Sequence, residues 1–221
     1  MSFRHSKLKV EKAAHYMAYG NPGLNTTHIW LACHGYAQNF QAFGEAFQLL
    51  DPDEHFVLIP SGMSHFYGKG FRGNVVSSWM TSFEREDEIE AYVSFFNQMF
   101  YELFDTHTFD HKVKMMGFGF SQGTATISRY AAIGRFSFDQ LVLCGGRLAK
   151  EIIDGDLLFK QATPKIHSFY GDKDPFLNEE KLNEQELKLK VNEIPFKNVF
   201  INAKHDWGVP YLRQVLEKLL I

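Results

Sequence analysis

Short apolar runs alternate with helix-length segments along almost the whole chain, and no other feature limits its fold so tightly. His28–Cys33 (HIWLAC), Phe56–Ile59 (FVLI), Lys112–Phe118, Phe138–Cys144 (FDQLVLC), Lys165–Tyr170 and Asn198–Asn202 read as strands. Helical segments are expected over Phe40–Leu50, Glu84–Phe104, Gln122–Ala132 and Glu180–Val191. Leu212, Val215, Leu216, Leu219 and Leu220 give a last helix an apolar stripe. In the long helix Ile89, Tyr92, Val93, Phe96, Phe100 and Leu103 recur at helical spacing. Strand-then-helix alternation predicts a mostly parallel central sheet with helices on both faces. Such sheets collect function in the loops at the carboxyl ends of their strands. Residues 61–82 show no periodicity and are rich in glycine, serine and aromatics, so a long functional loop is expected there.

The 221 residues suit one α/β domain spanning 1–221, with no length left for a large cap domain. A net charge of −3 excludes a strongly basic nucleic-acid surface, and no nucleic-acid partner is expected. No run of about 18 apolar residues exists, so stable membrane insertion is not expected. Met1–Lys7 is basic but no apolar stretch follows it. A signal peptide is therefore not expected, and a cytoplasmic location is the default. Cys33 and Cys144 lie in apolar strands and read as reduced core thiols rather than a disulfide or metal site.

Gly119-Phe120-Ser121-Gln122-Gly123 is a G-x-S-x-G motif between a strand and a helix. That setting is what a nucleophile elbow requires: a tight turn that lifts a serine hydroxyl clear of the sheet. A serine hydroxyl needs a base. After Ser121 only His167 and His205 are available; His167 sits inside a strand, whereas His205 follows one, so His205 is the candidate base. The acid belongs between them. Asp172 and Asp174 in Gly171-Asp172-Lys173-Asp174-Pro175 both qualify, and Asp154 and Asp156 remain further possibilities. Oxyanion donors are expected from the backbone N–H of Gln122 and, in the loop after HIWLAC, of Tyr36. His34 reads as a support for that loop.

These landmarks, Cys33-His34-Gly35-Tyr36-Ala37-Gln38-Asn39, Gly117-Phe118-Gly119-Phe120-Ser121-Gln122-Gly123, Gly171–Pro175 and His205, resemble those of the phospholipase/carboxylesterase family of α/β-hydrolases, which includes acyl-protein thioesterases. Ala37-Gln38 stands where that family usually has Gly-Asp. The resemblance implies an α/β-hydrolase fold and assigns the triad acid to Asp174. It makes Trp79 a substrate-loop residue. Phe176, which departs from the family pattern, is a second candidate for substrate binding by its position directly after the acid motif. The expected activity is cleavage of carboxylic esters or thioesters, on a small-molecule or acylated substrate of short to medium acyl length, with no metal or organic cofactor. A peptidase or amidase on the same fold is the alternative, and a non-enzymatic binding protein a more distant one.

Overall fold

The computed structural model describes residues 3–109 and 113–219. Strand β2, His28–Cys33, lies at the centre, and both of its faces are buried. Ile29, Leu31 and Cys33 point into one apolar layer and Trp30 and Ala32 into the other, because successive side chains of a strand alternate. This is why HIWLAC is apolar throughout: a central parallel strand has no solvent face.

With six other strands it forms a seven-stranded sheet in the order β1–β3–β2–β6–β7–β8–β9. They are β1 Tyr16–Tyr19, β3 His55–Pro60, β6 Lys114–Phe120, β7 Gln140–Cys144, β8 Lys165–Gly171 and β9 Phe196–Ile201, together with β2. All neighbours are parallel except the edge strand β1, which runs antiparallel to β3. Helices α2 (Arg85–Thr106), α3 (Gln122–Ile133) and α4 (Lys150–Asp154) cover one face. The other face is covered by α1 (Phe40–Gly44) and α6 (Val209–Leu219). Helix α5 is Glu179–Val191 and buries only Leu182, Gln185 and Leu189.

Several boundaries differ from those expected. The helix expected over 40–50 is α1 followed by a 3-10 turn, Glu45–Leu49. The strand expected from Lys112 begins at Lys114 and runs through Gly119-Phe120 into the serine turn; Lys112, like Leu220, lies outside the described residues. Strand β1 and helix α4 have no counterpart in the sequence reading.

The largest correction concerns residues 61–82. They form a two-stranded hairpin, β4 (Ser64–Lys69) and β5 (Arg72–Ser78), rather than a long loop. Lys69 pairs with Arg72, leaving a two-residue connection, Gly70-Phe71, in which Gly70 takes φ +59°. Glycine carries that left-handed angle without a steric penalty, and hairpin turns demand it. Most of the hairpin is solvated, so no apolar alternation marks it in the sequence. Among the described residues no cap domain covers the carboxyl ends of the strands.

The chain leaves β2 for β3 on one side and returns to place β6 on the other. The strand order therefore reverses between β2 and β6, and a crevice opens outside their carboxyl ends. The loops there begin with His34-Gly35-Tyr36 after β2 and with Ser121 after β6.

Candidate active site

Ser121 sits between β6 and α3 with φ 52° and ψ −116°. This backbone is strained for a residue with a side chain. It is held by the Ser121 N–H, which donates to the Cys144 carbonyl at 2.8 Å. The turn closes only because its flanks lack side chains. A β-carbon at Gly119 would fall 2.5 Å from the Gly123 carbonyl oxygen, and one at Gly123 would fall 2.0 Å from that of Cys33. Those contacts are closer than real β-carbons come, so both glycines of the motif are required by the backbone.

His205 follows β9 and Asp174 follows β8, both at the same end of the sheet as Ser121. His205 Nε2 lies 2.9 Å from Ser121 Oγ, and Nδ1 lies 2.6 Å from Asp174 Oδ2. The other carboxylate oxygen of Asp174 accepts the Phe176 N–H at 2.8 Å. The Asp174 side chain is almost wholly buried, at 4 % exposed, and that of His205 is 16 % exposed. A buried carboxylate with both oxygens occupied has one orientation, and it fixes Nδ1 of the histidine as the protonated nitrogen. Nε2 is then the acceptor facing the serine hydroxyl. Such an arrangement can remove a proton from the serine as it attacks an electrophile.

The other acids considered are elsewhere. Asp172 is exposed, and Asp154 ends α4 in ion pairs with Lys150 and Lys188. His167 lies within β8, opposite Lys197.

The loop after β2 presses against the serine. A β-carbon at Gly35 would fall 3.1 Å from Ser121 Cβ, so a side chain there would have to push the serine aside by a few tenths of an ångström. His34 is fully buried and clamps the loop. The Gly62 N–H donates to its Nε2 at 3.0 Å, which leaves Nδ1 to donate to the Gly35 carbonyl at 2.7 Å. Peptide planarity then turns the Tyr36 N–H to the opposite side of that peptide. Among the described residues the Tyr36 N–H has no acceptor. Gln122 is the first residue of α3, where the helix itself offers its N–H no partner. The two N–H groups expected to serve an oxyanion thus have no partner among the described residues.

Trp79 needs a correction. It does not face the crevice: its ring is buried at 2 % exposure, packed against His34, Tyr92 and Phe96. Its indole N–H donates to the His34 carbonyl at 2.7 Å. A large amphipathic ring in a solvated segment serves here as the anchor of the oxyanion loop, leaving no surface for a substrate. Phe176, in contrast, is 76 % exposed and meets the His205 ring edge-on at 4.8 Å.

Two side chains that the sequence did not single out complete the site. Gln38 Oε1 accepts the Gly35 N–H at 2.6 Å, closing the loop around its own side chain. The Gln122 carboxamide donates to the Met80 carbonyl at 2.9 Å and accepts from the Trp79 N–H at 3.3 Å, tying the end of the hairpin to the elbow. Both lie within the quoted landmarks, but the roles of their carboxamides are visible only in the contacts.

Burial holds the His34 pKa down at about 4, against an ordinary value near 6.5. The folded chain thus binds fewer protons here than the unfolded one between those values. Stability from this group is complete above about pH 6.5 and is lost as the pH falls toward 4. The difference corresponds to about 3 kcal/mol. His28, also held at about 4 but only half-buried, adds a smaller part in the same window. Urea unfolding at pH 7 and pH 4.5 should show a larger loss for the wild type than for His34→Gln, which has no imidazole to protonate. Equal losses would remove His34 from this account.

No protein-family model matches the chain, and no curated protein does. Solved structures do. Esterase PE8 matches with a TM-score of 0.68 at 15 % identity, over 96 % of this chain and 99 % of its own. A carboxylesterase from Mesorhizobium loti gives 0.67 at 16 % identity, over 97 % and 98 %. Zea mays acyl-protein thioesterase 2 gives 0.66 at 15 %, over 95 % and 98 %. These are the kinds of protein to which the four sequence landmarks pointed. A likeness at such identities carries the fold alone: this chain has the α/β-hydrolase fold.

Proposed function

We propose that the protein is a serine hydrolase that cleaves carboxylic ester or thioester bonds through an acyl-enzyme intermediate. The observation that carries this reading is the unbroken chain Ser121 Oγ–His205 Nε2, His205 Nδ1–Asp174 Oδ2, at 2.9 and 2.6 Å. Ser121 Oγ attacks the carbonyl carbon while His205 Nε2 takes its proton. Asp174 holds the Nδ1 proton and stabilises the imidazolium that forms. The Gln122 and Tyr36 N–H groups meet the charge that develops on the carbonyl oxygen. Collapse of the tetrahedral intermediate expels the alcohol or thiol, which leaves with the proton from His205. Water, deprotonated by the same nitrogen, then releases the acid and restores Ser121.

The substrate is a small molecule or an acylated group of short to medium chain length. Support for this comes from the exposed ring of Phe176 against His205, from the exposed Tyr36 in the loop after β2, and from the lack of a cap among the described residues. An apolar wall in an open crevice favours a few methylenes, each contributing up to about 0.8 kcal/mol, or nearly fourfold in kcat/KM. Beyond the wall the gain stops. A p-nitrophenyl ester series from acetate to palmitate should therefore peak at intermediate length, and Phe176→Ala should flatten the peak. Acetate outrunning every longer ester would show that no acyl wall exists. Absence of turnover across the whole series would contradict the hydrolase reading itself.

A further inference from the structure

A second recess takes Asp174 of the triad into its wall. It is a cavity of about 330 Å³ between the turn after β7 and the segment that leads from Asp174 into α5. Two cationic residues, Arg147 and Lys181, line it, together with Tyr170 and Asn178. The wall holds one acid, Asp174, and both of its oxygens are engaged, by His205 and by the Phe176 N–H. Arg147 gives one N–H to the Lys181 carbonyl at 3.3 Å; its other donors have no acceptor among the described residues. Glu184, on the same helix as Lys181, is paired with Lys188 at 2.8 Å.

A cavity that sets two cations, Arg147 and Lys181, against the single carboxylate of Asp174 in a chain of net charge −3 is suited to an anion. A guanidinium brings a planar set of donors that matches a carboxylate or phosphate, and an ammonium adds a second point of charge. The cavity takes Asp174 of the triad into its wall together with Phe176, which packs on the His205 ring, so a ligand whose carbonyl faces Ser121 can extend an anionic group into it.

We infer that the cavity lined by Arg147 and Lys181 is an anion subsite, and that the favoured substrates are esters or thioesters that also carry a carboxylate or phosphate group. This rests on the hydrolase reading above and narrows its substrate class. Hydrogen bonds to a charged group in such a place are worth roughly a tenfold preference.

The test compares esters matched in size and leaving group. Mono-p-nitrophenyl glutarate against p-nitrophenyl valerate places the charge on the acyl side. 4-(Carboxymethyl)phenyl butyrate against p-tolyl butyrate places it on the alcohol side. For at least one pair the charged ester should have the higher kcat/KM, by roughly tenfold, and the ratio should shrink in Arg147→Gln and further in Arg147→Gln/Lys181→Gln. The ratio is the readout because a general loss of folded enzyme cancels from it. The inhibition constants of glutarate and inorganic phosphate against p-nitrophenyl butyrate tell which anion fits better. Ratios at or below one for both pairs, or a preference that survives both substitutions, would overturn the subsite while leaving the hydrolase reading in place. A wild-type protein that turns over no member of either pair would overturn the hydrolase reading on which the subsite rests.

Discussion

Asp174→Asn is expected to lower ester hydrolysis on the order of ten-thousandfold, while Asp172→Asn stays within about tenfold of the wild type. The asymmetry follows from what each carboxylate touches. Asp172 is exposed, and loss of its charge removes a surface feature. Asp174 accepts the Phe176 N–H with one oxygen and faces His205 Nδ1 with the other. An amide at this place has one oxygen and one NH2 group. The Phe176 N–H can only donate, so it captures the amide oxygen and turns the NH2 toward His205. Nδ1 must then accept, which moves the imidazole proton to Nε2. A histidine in that tautomer cannot take the serine proton, although every heavy atom keeps its place. Folding should survive, since the substitution keeps the shape of the side chain; thermal unfolding checks this in parallel with kcat/KM. Phe176→Pro removes the N–H that selects the amide orientation, so the Asp174→Asn penalty should be smaller in that background. A large loss from Asp172→Asn with a small one from Asp174→Asn would place the acid on the wrong residue.

The parts of this site that were legible in the sequence share one property: backbone geometry forces their residue types locally. The elbow announces itself because Gly119 and Gly123 lie within contact of other backbone atoms, and no other residue fits. His205 and Asp174 were found by position, since each follows an apolar run and the crevice lies at the ends of such runs. A choice between Asp172 and Asp174 was beyond spacing alone; it needed the family resemblance, and the hydrogen bond to His205 agrees with it. The long apolar strands were likewise legible, because burial on both faces leaves a continuous signature.

What escaped was held together by contacts distant in sequence. The β4–β5 hairpin is exposed along most of its length, so the pattern that marks a half-buried strand is missing. Its signals were the two-residue Gly70-Phe71 turn and the β-branched pair Val75-Val76, both too slight to read beside so many glycines and serines. The family resemblance makes Trp79 a substrate-loop residue, and the sequence cannot correct it, because an aromatic residue in a polar segment looks the same whether it faces solvent or core. Its burial is decided by Tyr92 and Phe96 of α2 and by the His34 carbonyl, none of which is near in sequence. Gln38 shows the same limit at shorter range. As a departure from the family's Gly-Asp it read only as a difference, yet its carboxamide accepts the Gly35 N–H and shapes the loop beside Ser121.

The second large effect concerns Ser121 itself. Ser121→Ala should reduce hydrolysis by roughly four to six orders of magnitude, because the oxygen that forms the acyl-enzyme is gone while the oxyanion donors remain. The fold should tolerate it well, since alanine removes one oxygen of a half-buried side chain and leaves no cavity of note. The strained φ of 52° is borne by the backbone in either case. Activity alone leaves room for a contaminating esterase, so the covalent state of the serine is the sharper observable. A fluorophosphonate reacts with a serine whose proton a neighbouring base can take, and the adduct is read by intact mass and located by peptide mapping. The wild-type chain is predicted to gain one adduct, on Ser121, and Ser121→Ala to gain none under the same conditions. An unlabelled wild type, or a label that persists in Ser121→Ala, would contradict the central claim that Ser121, activated by His205, is the nucleophile of this protein.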